Sequence, residues 1–95
     1  GIGGEYQLSY EQKEEELEVL EQPKEVTFSL VKDKHNDKKE NSGHITALSK
    51  SEAILVTDVE LKLFDNLVIM VDEKRFCKVI RQENDGWRIR FTAVQ

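Results

Sequence analysis

Residues 67–94, LVIMVDEKRFCKVIRQENDGWRIRFTAV, constrain the fold more than any other part of this 95-residue chain. They read as three consecutive β-strands joined by two tight turns. In the last of these, Trp87, Ile89, Phe91 and Ala93 fall on one face and Arg88, Arg90, Thr92 and Val94 on the other. Side chains of a strand point alternately to the two sides of its sheet, so a period of two marks a half-buried strand. The apolar face needs further strands to cover it. Asn84-Asp85-Gly86 just before it supplies residues that tolerate positive φ, which a hairpin return requires.

Those further strands lie upstream. Val26, Phe28 and Leu30 alternate with Thr27, Ser29 and Val31, which predicts a first strand at about 25–32. Residues 33–42, DKHNDKKENS, form a charged loop without apolar residues, expected to be exposed and mobile. A second strand is predicted at 43–48, then a short turn at 49–52. Residues 53–57, AILVT, are an apolar run suited to a strand buried on both sides. Residues 58–64 show no clear period and read as a connection carrying core side chains, with leucines at 61 and 63; Asp65-Asn66 is a turn signal. Six short strands separated by polar turns predict an antiparallel barrel or sandwich. Closure into a barrel removes the edges that invite aggregation.

The N-terminal part has a different character. Gly1–Gly4 reads as a flexible lead-in. Ser9 followed by Gln12 has the form of a capping box, and the acidic turns after it suit the positive end of a helix dipole. A helix is therefore expected over 10–21, ended by Pro23. Its apolar stripe is thin: Tyr10, Leu17 and Leu20. Two units follow: 1–23, a lead-in and acidic N-terminal helix, and 24–95, a β-barrel domain. The seven glutamates of residues 5–22, set against Lys13, hold −6 of a formal net charge of −5, so the rest of the chain sums to +1. Neither part creates the basic field that nucleic-acid binding usually needs.

Chemistry-bearing residues are sparse. His35 and His44 match no structural zinc spacing, and the lone cysteine, Cys77, reads as a small core residue. Asp72-Glu73 and Glu83/Asp85 are carboxylate pairs in turns. Ser49 lacks a GxSxG frame, and there is no glycine-rich phosphate loop. Neither an enzyme, nor a metal site, nor a cofactor is expected. One cysteine precludes an internal disulfide and points to a reducing compartment, hence the cytoplasm. No run approaches the roughly 18 apolar residues of a membrane helix. Arg75, Lys78, Arg81, Arg88 and Arg90 make one positive cluster. With Trp87 and Phe91 it suggests a single-stranded nucleic-acid platform, but those aromatics fall on the face opposite Arg88 and Arg90. The cations read better as an outer face, on which Arg88 and Arg90 receive the acidic helix with its Tyr10, Leu17 and Leu20.

Several stretches, namely ITALS at 45–49, AILV at 53–56, LVIMV at 67–71, VIR at 79–81 and GWRIRFT at 86–92, resemble in order and spacing the PilZ domain, a six-stranded barrel of bacterial signalling proteins. The resemblance covers about residues 24–94. It implies a PilZ-like antiparallel barrel and, as the family's ligand, cyclic di-GMP, held by an RxxxR segment before the first strand and a DxSxxG turn. Here the segment before the strand is Leu20-Glu21-Gln22-Pro23-Lys24, with Lys24 its one cation. At the turn, Ala47 stands for the Asp, Ser49 is retained and Glu52 stands for the Gly. Arginine's planar fork pairs bidentately with phosphate and lysine's point charge does not. The resemblance thus leaves Lys24 and Ser49 as the residues matching the family's ligand contacts, and binding by the family's chemistry is not expected. The leading expectation is a regulatory or protein-interaction module, engaging a protein partner or an upstream domain of the same chain. The alternatives are a sensor of cyclic di-GMP or a related nucleotide through altered contacts, and a small barrel for single-stranded nucleic acid.

Overall fold

The computed structural model describes residues 16–32, 35–36, 39–83 and 85–92. Its strands are β1 (Glu18–Lys32), β2 (His35–Asn36), β3 (Asn41–Leu48), β4 (Glu52–Val56), β5 (Asn66–Val71), β6 (Glu73–Glu83) and β7 (Gly86–Phe91). Neighbours run β1-β3-β4-β7-β6-β5, and β5 pairs back onto β1, so six strands close into a barrel. Every pairing is antiparallel. The two-residue β2 extends the β1 hairpin inside the stretch expected to be loop, with Val31 opposite Asn36.

Alternation decides the interior. Val26 and Phe28 of β1, Ile45 of β3, Ala53 and Leu55 of β4, and Leu67, Ile69 and Val71 of β5 point inward with Cys77, Val79 and Ile89. Leu61, from the connection between β4 and β5, joins them. At one end of the barrel lie the β3–β4 turn, the β5–β6 return at Asp72 and the last residue of β7. Leu20, Leu48 and Phe91 pack against the core there. Cys77 is nearly inaccessible, and burial, against the charge of Arg75, pushes its thiol up to about 12, which leaves it unreactive.

One expectation is corrected. A helix over 10–21 does not survive at its C-terminal end, because residues 18–21 belong to β1; residues 10–15 lie outside the described residues. Glu18 and Val19 instead pair with Leu48 and Ala47, so ladder hydrogen bonds to β3 override the helix propensity of a glutamate-rich stretch. The register slips between Val19 and Lys24, and Pro23, which has no N–H to donate, sits in that lapse. Gly86, the last residue of the expected turn, has a different role from backbone freedom. Its φ is not positive; among the described residues those with positive φ are Phe64 (68°) and Asp72 (66°). Gly86 is needed for closeness instead, since a Cβ there would lie 2.7 Å from the Leu55 carbonyl oxygen.

Candidate functional site

The turn between β3 and β4 is where the resemblance would put a ligand. Its geometry is a closed serine turn. Ser49 Oγ accepts the Ser51 N–H at 3.2 Å and the Glu52 N–H at 3.0 Å, and the Ser49 N–H donates to the Glu52 carbonyl at 2.8 Å. These bonds satisfy backbone groups that a phosphate would otherwise need. Lys24 is also engaged: its Nζ lies 2.8 Å from Asp72 Oδ1. The two residues that match the family's ligand contacts thus serve local structure.

Glu52 opens β4, and its carboxylate points to the outer face of the sheet, opposite Arg90 and diagonal to Arg88 on β7. It is almost wholly buried. Arg88 Nε donates to Glu52 Oε1 at 2.6 Å, and Arg90 reaches Glu52 Oε2 through Nε at 2.9 Å and Nη2 at 2.8 Å. Arg88 Nη1 also lies 3.2 Å from both oxygens of Glu83, and Arg81 Nε lies 3.2 Å from Glu83 Oε1. Charges therefore alternate along the face: Arg90, Glu52, Arg88, Glu83, Arg81. Glu52 and Arg88 are the buried pair, with side chains 3% and 6% exposed, and Arg90 is half exposed.

One residue of β6 makes the far half of this row. The register shifts between Val79 and Arg81, which leaves Ile80 as an extra residue. Without that bulge Arg81 would keep the inward parity of Cys77 and Val79. With it, Arg81 faces Arg88 across the strands, and Glu83 bridges two guanidiniums that would otherwise repel. Burial alone would raise the Glu83 carboxyl. Hydrogen bonds from Arg88 and Arg81, and their charges, outweigh it and hold the group below its ordinary range. A depressed carboxyl stabilises the fold fully above the unfolded value of 4.5 and loses that contribution as pH falls through the lower folded value. The stability gap between wild type and Glu83→Gln is therefore expected to be constant at pH 6–8 and to shrink below about pH 4. Urea unfolding across that range checks it.

The remaining expected site residues separate. Tyr10 lies outside the described residues. Leu17 is half-buried, and Leu20 packs on the core. Arg88 and Arg90, expected to receive the acidic helix, hold the carboxylates of Glu52 and Glu83. Trp87 and Phe91 pack against the core, and the Arg75 guanidinium lies 3.8 Å from the Phe91 ring centroid. A groove of about 590 Å³ runs over β1, β3 and β4, lined by Glu25, Thr27, Ser42, His44, Asp58 and Met70 among others. Two carboxylates with no lysine or arginine in the lining make it a poor host for phosphate. Among the described residues no group of three His, Cys, Asp or Glu could hold a metal ion, and no helix is long and apolar enough to cross a membrane.

A second feature escaped the alternation pattern. The connection between β4 and β5 turns at residues 62–65, where Lys62 N–H donates to Asp65 Oδ2 at 2.9 Å and Asp65 N–H to the Lys62 carbonyl at 3.1 Å. Backbone bonds from Phe64 N–H to Val79 O and from Val79 N–H to Asp65 O pin this turn to β6. Phe64 is held there at φ 68°, a conformation that bulky residues rarely adopt. Phe64 is 64% exposed, beside Leu63 at 55%. The strain places an aromatic in solvent, not in the core.

Comparison with family models, curated proteins and solved structures finds no match for the chain.

Proposed function

We propose that this chain is a regulatory, protein-interaction module of a bacterial signalling protein, a PilZ-like barrel that does not take cyclic di-GMP through the family's contacts. The observation that carries the reading is Glu52. At the position of the family's turn glycine stands a buried carboxylate, already bonded by the two arginines best placed to meet a phosphate. An incoming anion would have to displace Glu52 and leave it buried beside a second negative charge, which is costly. Calorimetric titration with cyclic di-GMP tests this. No saturable heat is expected with ligand in the hundred-micromolar range, and micromolar saturation would return the nucleotide-sensor alternative. Trp87 and Phe91, the aromatics on the strand of Arg88 and Arg90, pack against the core and offer no stacking platform beside those arginines, so filter binding of oligonucleotides is expected to give no salt-sensitive signal.

The protein partner, or an upstream domain of the same chain in the cytoplasm, meets the barrel through the turn at Leu63 and Phe64. Strained backbone that exposes apolar side chains is retained where those side chains are used. Asparagine tolerates left-handed geometry far better than phenylalanine. Phe64→Asn is therefore expected to leave unfolding stability unchanged to within about 0.5 kcal/mol, or to raise it. A loss of more than about 2 kcal/mol would make Phe64 a structural residue and remove this support.

A further inference from the structure

We propose that the outer face of β5 and β6, formed by Val68, Met70 and Phe76 between Lys74 and Lys78, is the docking surface for the chain's own acidic segment, residues 5–15. This is a different face from the turn at Leu63 and Phe64, and the inference does not depend on the barrel's partner. On this face Val68 stands directly opposite Phe76, and Met70 stands opposite Lys74. Met70 and Phe76 are diagonal neighbours, within reach of one another's long side chains. Met70 is 46% exposed and Phe76 40%. Lys78 faces Asn66 on one side and Arg90 on the other. Among the described residues neither Lys74 nor Lys78 is ion-paired. An apolar strip between two lysines fits a segment that is itself apolar and acidic.

Residues 5–15 have that composition: Tyr6, Leu8 and Tyr10 among Glu5, Glu11, Glu14 and Glu15, with Lys13 the one cation. The described chain that follows them begins at the right end of the barrel. Glu18 pairs with Leu48 beside the β3–β4 turn, and that turn meets β7 where the Phe91 N–H donates to the Ser51 carbonyl. The Thr92 N–H donates to the carbonyl of Phe76 itself, and the Lys24–Asp72 ion pair ties β1 to the return that leads into β6. Lys74 and Phe76 follow Asp72 by two and four residues. Extended, residues 5–15 span at most about 36 Å, enough to run the length of β6. A second copy of the same face is a worse occupant, since a two-fold contact would set lysines against lysines. Arg88 and Arg90 are less suitable for the acidic segment because Glu52 and Glu83 hold them.

The test is zero-length carbodiimide cross-linking of the full chain, mixed one to one with its ¹⁵N-labelled copy and read by mass spectrometry. Cross-links from Glu11, Glu14 or Glu15 to Lys74 or Lys78 are expected within single copies. Their yield should fall at least fivefold in 0.5 M salt, where exposed charges are screened within a few ångströms. Phe76→Ser should lower it at low salt, and Met70→Ser should do the same if the first variant folds poorly. The proposal is overturned if cross-links spread over Lys50 and Lys62 as readily as over Lys74 and Lys78. It is equally overturned if they join labelled to unlabelled copies, or if folded serine variants give the wild-type yield.

Discussion

Glu52→Ala is expected to cost the barrel about 3–5 kcal/mol, the loss typical of breaking a buried ion pair by removing one partner. The reason is Arg88. Its side chain is 6% exposed, and its Nε bond to Glu52 is the shortest polar contact in the row. Without the carboxylate the guanidinium keeps Glu83 on one edge but has lost its partner at Nε, and burial denies it water. A domain of this size has about 5–15 kcal/mol of stability in all, so the variant should sit near the edge of unfolding. Glu52→Gln should fall between, because the amide keeps the shape and one acceptor but not the charge. Urea midpoints, with an unchanged slope, are the measurement. Arg90→Ala should cost much less than either, since that guanidinium is half in solvent.

The second large effect is expected at the glycines. Gly43 of β3 and Gly86 of β7 press on β4 from opposite sides. A Cβ at Gly43 would lie 2.8 Å from the Val56 carbonyl oxygen, and one at Gly86 would lie 2.7 Å from that of Leu55. Both clashes are with backbone, which moves only by shifting β4, and β4 carries Ala53 and Leu55 at the centre of the core. Each alanine variant should lose about 1–3 kcal/mol, or roughly 4–8 °C in Tm per kcal/mol for a domain of this length. The double variant should lose less than the sum, because both substitutions displace the same strand. Thermal melts of the three proteins decide it. A loss confined to Gly86→Ala would show that β4 yields on the β3 side.

The barrel was largely legible because its determinants are local. Trp87, Ile89 and Phe91 alternate with Arg88 and Arg90, and that pattern alone assigned the inner and outer faces of β7. The N-terminal boundary was not legible. A capping signal at Ser9 and Gln12 and a run of glutamates favour a helix through residue 21, yet Glu18 and Val19 pair with residues nearly thirty positions on. No local propensity reports such a pairing. The same limit hid the row of charges. Arg88 and Arg90 were visible as an outer cationic face, but Glu52 read as the end of a turn, one residue short of the strand it opens. Its partners lie 36 and 38 residues away. Arg81 was visible in the same cationic cluster, but its contact with Glu83 was not, because a bulge at Ile80 sets the register that brings them beside Arg88. Phe64 was hidden for another reason: an aromatic among leucines reads as core, and only the backbone angle shows it turned outward.

The bond between Glu52 and Arg88 is the centre of the proposed function, and a double-mutant cycle by urea unfolding of Glu52→Leu, Arg88→Met and the two together measures it most directly. Glu52→Leu should cost about 3–5 kcal/mol by leaving the buried Arg88 Nε without its carboxylate, and Arg88→Met less, because Arg90 still holds Glu52 Oε2; the double should cost less than Glu52→Leu alone and give a coupling above about 1 kcal/mol. Losses that simply add would contradict this: Glu52 would not be what satisfies Arg88, and the outer face of β4 and β7 would be open to an anion from elsewhere.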